Sequence, residues 1–323
     1  MVASPVPGIP LNSNGIPTFE QLPLRKNDPP YSAWGLYGDK DELGTLNRLT
    51  NSRVAAAAQG EIKTGQRISL NWPLNAQSEK SFFARKLFHQ EMFHKQPYTV
   101  NDDVWTFNTQ VSSQWDGLRH FGYQKEQLFY NGVTMKKYTP LMRMGTRIQR
   151  TGFKQGIVGR GVLIDWYGWK MSQPGATAPD HFASTSIALS ELQAALAAQG
   201  TEIKFGDILF IRSARGDLLA IKHEPHPNII GVEQTPEIIK WIWESFSAVA
   251  GDTLAFECWP PVKEVVLHEI LLSGWGCPIG ELFDLEKLAE QCKSEGRWSF
   301  FVASEPCNVP GGVASPPNIL AIL

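Results

Sequence analysis

Two short apolar runs, RGVLIDW (Arg160 to Trp166) and DILFIR (Asp207 to Arg212), each following a glycine, constrain the fold most. Runs of this length, apolar at successive positions, fit strands buried on both faces. Between them, Ser190 can cap a helix through ELQAALAAQ, with Leu192 and Leu196 on one face and Gly200 just past its end. Strand, helix, strand in that order predicts an α/β chain with parallel pairing at its centre.

Further elements follow. Thr235 caps a second predicted helix, with Pro236 at its first position, running to Gly251. TLAFECW (253 to 259) reads as another buried strand. Glu264 to Leu272 reads as a third helix carrying His268, and Leu285 to Glu295 as a fourth, capped by Asp284 and ended by Gly296. VPGGVASPPN is a turn-rich loop before a last apolar run. Residues 1 to 30, rich in Pro, Asn and Gly, predict an extended N-terminal arm. No later linker announces a boundary, so residues 31 to 323 are expected to form one domain.

Charge and composition exclude several classes. With 30 basic and 32 acidic residues and no basic run, the chain offers a nucleic acid nothing to follow. No apolar run approaches the roughly 18 residues that a membrane span needs. The N-terminal segment lacks the basic and apolar regions of a secretory signal. Cys258, Cys277, Cys292 and Cys307 show no CxxC pairing, which fits free thiols in a reducing compartment, so a cytoplasmic location is expected. Neither GxxxxGK[ST], nor GxGxxG after a strand, nor a GxSxG elbow occurs, which disfavours nucleotide-driven and serine-hydrolase chemistry.

The chemistry concentrates in QVSSQWDGLRH (110 to 120). Asp116 and His120 lie four apart among Gln110, Gln114, Ser112, Ser113 and Trp115. A carboxylate and an imidazole so placed can hold a divalent metal or set up proton transfer. Spacing alone equally allows an Asp that caps a turn at Gly117 and a His that packs beside Phe121. His268 and Glu281 form a second candidate pair, although a lone His beside Leu267, Leu271 and Leu272 is commonly a satisfied core residue. His89 and His94, five apart, miss the i, i+4 spacing of a HExxH helix and read as structural or substrate-facing. His181, His223 and His226 lie in Pro-broken loops.

Taken together, WGLYGDKDELGTLNRLT (34 to 50), DDVWTFNTQVSSQWDGLRHFG, RGVLIDWYGW, FGDILFIRSARGD, AGDTLAFECWPP, LHEILLSGWGCPIGELFDLEKL and VASPPNILAIL resemble, in order, the cyclase family that includes bacterial kynurenine formamidase and isatin hydrolase. The resemblance implies a single α/β domain with a mixed, barrel-like sheet surrounded by helices, of the swivelling β/β/α kind, commonly assembled as homo-oligomers. The N-terminal arm is a plausible contributor to such assembly. The family's His-x-Gly-Thr-His-x-Asp-x-Pro-x-His motif, laid over residues 110 to 120, keeps only Asp116 and His120. Gln110 and Gln114 replace its first two histidines, and Leu118 its proline. Its downstream metal-binding His and Glu match His268 and Glu281, in a stretch one residue longer here.

A neutral amide is a weaker ligand for zinc or manganese than an imidazole, so two metals are not expected. The resemblance then implies one divalent ion, zinc or manganese, at Asp116, His268 and Glu281, polarising a carbonyl and lowering the pKa of bound water while His120 serves as general acid or base. Gln110 and Gln114 would orient substrate or water, and Trp115 would wall a small cyclic or aromatic substrate whose amide or lactone bond is hydrolysed. One alternative is a metal-independent cyclase, dehydratase or isomerase of secondary metabolism using His120, Asp116 and Glu281. A non-enzymatic binder of a small molecule is a further one.

Overall fold

The computed structural model describes residues 6, 8–136, 155–213, 228–263 and 265–323. Nine strands build one mixed sheet: β1 Arg67–Ser69, β2 Gln114–Asp116, β3 Ile157–Ile164, β4 Asp207–Ile211, β5 Phe246–Gly251, β6 Ile279–Glu281, β7 Ser299–Ser304, β8 Ala314–Ser315 and β9 Ile319–Ile322. Their spatial order is β1-β9-β7-β3-β4-β5-β6-β2-β8. The central run β3, β4, β5, β6 is parallel, and the flanking strands pair antiparallel.

Period-two alternation explains why the apolar runs become central strands. Val162, Ile164, Leu209, Ile211 and Val249 enter one core layer, while Leu163, Ile208, Phe210, Ala248 and Ala250 enter the other. Helices α1 (Asn51–Glu61), α2 (Trp166–Met171), α3 (Leu189–Gln199), α4 (Pro236–Ser245) and α5 (Glu286–Glu295) complete the architecture. Leu192, Ala195 and Leu196 of α3 and Ile238, Ile239, Ile242 and Trp243 of α4 cover the first layer. Leu288, Ala289 and Cys292 of α5 cover the second. The expected mixed α/β domain is thus observed. No helix among the described residues is long and apolar enough to cross a membrane.

Local signals hold at several helix ends. Thr235 Oγ1 accepts from Ile238 N at 3.4 Å with Pro236 at the first position, and Gly200 and Gly296 end α3 and α5 in the left-handed conformation. Other boundaries differ. Helix α3 begins at Leu189 after Ala188, so Ser190 lies inside it and does not cap it. The helix expected to reach Gly251 stops at Ser245, and FSAVAG becomes β5, wholly buried between β4 and β6. Small residues at 247 to 251 tolerate either state locally, and pairing on both sides decides for the strand. Consequently 253 to 259 is not a sheet strand. The chain leaves the sheet after Gly251, touching Val232 through Glu257 and Ile229 through Trp259 by isolated bridges. Glu264 lies outside the described residues, and the third helix takes the form of a π-helical turn, Glu269–Trp275, preceded by helical Leu267 and His268.

In the N-terminal segment, Ile16, Phe19 and Leu24 insert into the first core layer, and Trp243 Nε1 donates to Pro17 O at 3.0 Å. His89 and His94 sit in an antiparallel hairpin, His89–His94 with Asn101–Thr106, whose strand residues are all exposed. His223 and His226 lie outside the described residues.

Candidate functional site

Strands β2 and β6 carry the centre of the site. Their register sets Gln114 opposite Glu281 and Asp116 opposite Ile279. Alternation along β2 turns Gln114 and Asp116 to one side of the sheet, and Glu281, directly across from Gln114, to the same side. Gln114 Nε2 donates to Glu281 Oε2 at 2.8 Å. The same alternation sends Trp115 to the opposite side. There it is fully buried, its ring edge-on to Phe283 at 5.2 Å and its Nε1 donating to Ser304 Oγ at 3.0 Å. The expected substrate wall at Trp115 is therefore corrected: the residue belongs to the second core layer and cannot face a ligand bound at Asp116.

After Asp116 the chain reverses, His120 N donating to Gly117 O at 3.0 Å. The turn that spacing allowed is present, and it folds the His120 ring back over the carboxylate, with Nε2 3.8 Å from Asp116 Oδ2. Gln110 Nε2 donates to Asp116 Oδ1 at 2.7 Å and lies 3.2 Å from both ring nitrogens of His120. The amide is thus equidistant from the two ring nitrogens and singles out neither of them. Arg85 Nη1 donates to Gln110 O at 2.7 Å, tying down the turn that presents the amide.

His268 arrives from the other side. Its ring lies 6.2 Å from that of His120 and 5.5 Å from that of Phe121. Nε2 is 3.2 Å from Glu281 Oε1, which also accepts from Phe256 N at 3.2 Å. Nδ1 is 2.6 Å from Glu257 Oε1. Sequence reasoning missed Glu257, because its segment read as an ordinary buried strand. A charged residue in the middle of TLAFECW, a run otherwise fit for a core, was the available signal.

The electrostatics follow from burial and pairing. Burial pushes the Asp116 carboxyl above its usual range, with Glu281 adding to the rise and His120 opposing it. For His268, burial alone would lower the value, yet hydrogen bonds to Glu257 and Glu281 outweigh it and hold the imidazolium well above the usual histidine range. Glu281 moves the other way: burial would raise it, but the His268 hydrogen bond holds it below the ordinary glutamate value. The proton between these two therefore rests on His268.

Asp116, His120 and His268 each offer one ligand atom, all within 4.8 Å of one another. Asp116 and His268 were expected together. His120 is the third member of this cluster, while Glu281, expected in that place, stands against His268 Nε2. Two further acceptors, Asp116 Oδ2 and Gln114 Oε1, are buried without a hydrogen-bond partner. Orphaned acceptors beside two imidazoles fit a bound cation, and one carboxylate with two ring nitrogens is a donor set that zinc, manganese or iron accepts.

A sequence model described as a putative cyclase matches residues 28–258. A solved structure described as a novel cyclase is 30% identical, with a TM-score of 0.73, covering 90% of this chain and 99% of that one. Isatin hydrolase A from Ralstonia solanacearum is similar in fold at 14% identity and a TM-score of 0.52, covering 84% and 95%. Isatin hydrolase A from Labrenzia aggregata, bound to benzyl benzoate, is similar at 16% identity and 0.56, covering 86% and 98%. No curated protein sequence matches the chain.

Proposed function

Because the chain belongs to the cyclase family, whose sequence model spans residues 28–258, we propose that it is a metal-dependent hydrolase acting on the amide or lactone bond of a small cyclic or aromatic metabolite. The observation that carries this is the orphaned Oδ2 of fully buried Asp116, set in a cluster where three ligand atoms lie within 4.8 Å. Asp116 and His268, two members of that cluster, would hold one divalent ion, with the Glu281 carboxylate 3.2 Å from His268 Nε2 as third donor in place of His120, the cluster's other member. The ion would supply Lewis acidity toward a carbonyl and toward water.

His120 is the proton-transfer group. Its side chain is 21% exposed against 0% for Asp116, so it is the member of the pair that can exchange a proton with solvent between turnovers. Its two nitrogens, uncommitted beside Gln110, can take and return that proton. Gln110 orients Asp116 by its 2.7 Å hydrogen bond. Gln114 keeps its oxygen free toward the site while its nitrogen holds Glu281. Similarity in fold to two hydrolases of isatin supports hydrolysis of a compact substrate. The family resemblance supports zinc or manganese as the ion and a homo-oligomeric state, and the four free cysteines support a reducing, cytoplasmic setting.

Elemental analysis of the purified protein is expected to find a divalent metal near one per chain. Chelation should abolish turnover of a panel of aryl amides and lactones, and zinc or manganese should restore it. Protein that lacks any such ion and still turns over would overturn the assignment.

One observation favours a second reading, metal-independent acid–base catalysis in a cyclisation or dehydration. Both His268 nitrogens already have carboxylate partners, at 2.6 and 3.2 Å, so the cluster is hydrogen-bonded without an ion. Turnover that survives metal stripping but is lost in His120→Ala would select it.

A further inference from the structure

We propose that Glu257 is the positioning residue of this site, gripping His268 by its ring and its main chain so that Nε2 is the nitrogen presented to Asp116, His120 and Glu281. Glu257 is fully buried, and its side chain accepts from four N–H groups. They are Leu267 N at 2.8 Å, His268 N at 2.7 Å, His268 Nδ1 at 2.6 Å and Gln234 Nε2 at 3.0 Å. Gln234 is itself buried and also donates to Cys258 O at 2.5 Å, tying the set to the chain on which Glu257 stands.

Three features separate this from a simple helix cap. A cap needs only the two main-chain amides, whereas the bond to the ring is the shortest of the four. Because the Glu257 oxygens accept, Nδ1 must carry a hydrogen, so Nε2, which shares its proton with Glu281 at 3.2 Å, is the ring nitrogen that a cation at the site would take in exchange for that proton. Turning the ring over would set a carbon against Glu257 and lose that bond, so the carboxylate selects one ring orientation as well as one tautomer. The detour of residues 252 to 258 off the sheet is what makes the contact possible. A strand continuing from β5 would carry Glu257 along the sheet and away from the start of the π-helical turn.

The affinity arm of the test rests on the metal reading above, and the resonance arm does not. With cobalt(II) alone as probe, calorimetry on the full chain should show Glu257→Gln weakening binding by about 10- to 100-fold with a changed visible spectrum, as for other carboxylates that orient a ligating histidine. In the metal-free protein, long-range nitrogen–proton spectra should show a slowly exchanging Nδ1 hydrogen on His268, absent from His268→Ala and lost or shifted in Glu257→Gln. Should wild type bind no cobalt yet show that hydrogen, the metal reading fails and the positioning role stands. Cobalt affinity and spectrum unchanged in folded Glu257→Gln overturn the role, and so does a wild-type His268 without the Nδ1 hydrogen, whatever the metal result. If Glu257→Gln does not fold, Gln234→Met, which removes one donor and leaves the carboxylate, carries the same test: a smaller loss supports the role, and no change in affinity or resonance overturns it.

Discussion

His120 and Asp116 form a pair whose members differ in solvent access rather than in chemistry alone. The imidazole reaches solvent and the carboxylate does not, which separates proton exchange from ion holding. His120→Asn should therefore lower turnover by about 10²- to 10⁴-fold, the usual contribution of a positioned acid or base, while metal content stays near that of wild type. Elemental analysis alongside steady-state kinetics checks this. Loss of the metal together with the rate would place His120 among the ligands, as its position within 4.8 Å of Asp116 and His268 allows. Asp116, His120, His268 and Glu281 were legible as candidates because the motif fixes their place in the chain, and the fold brings them into one cluster. Trp115 was misread for a reason equally local: neighbours on a strand face opposite ways, and nothing in QWD tells which of the two faces is wet.

Among the elements, the π-helical turn Glu269–Trp275 carries the most consequence, since His268 caps its start and Gly276 its end. Gly276 has φ of 66°, and a Cβ there would lie 2.7 Å from the Cα of Gly44. Gly44 in turn would place a Cβ 2.2 Å from the Gly276 carbonyl oxygen. Gly276→Ala is expected to lower stability by more than about 1 kcal/mol from the left-handed backbone alone, with the clash adding to it, and to weaken metal binding through His268. A urea midpoint equal to wild type would contradict this. The helix/strand boundary at Ser245 was illegible by the same logic at larger scale. FSAVAG has no period that excludes a helix, and only its hydrogen bonding to β4 and β6 makes it a strand.

At the scale of the whole molecule, the two core layers bury groups that titrate only in alkali. Burial pushes the Cys277 thiol up to about 11 and that of Cys292 to about 12. A buried acid whose value is raised on folding leaves stability intact below the unfolded value. Stability then falls as pH rises from that value through the folded one, because only the unfolded chain ionises. Denaturant midpoints should thus fall between about pH 9 and pH 11, Cys277 alone contributing on the order of 3 kcal/mol at 1.36 kcal/mol per unit. Cys277→Ala should flatten the profile over that interval. A midpoint independent of pH up to 11 would show that these thiols are not held from water in solution.

The sequence by itself determined the α/β class, the parallel strands β3 and β4, the start of α4 and the ends of α3 and α5, because each is written in short-range pattern, and motif order singled out Asp116, His120, His268 and Glu281 as candidates. Tertiary structure alone decided that Glu257 meets His268, that Gln114 pairs with Glu281 across 167 residues of chain, and that Asp116 keeps one oxygen without a hydrogen-bond partner. Those contacts depend on strand register and on where the chain leaves the sheet. Both are set by packing between segments far apart in sequence, and no local propensity encodes them.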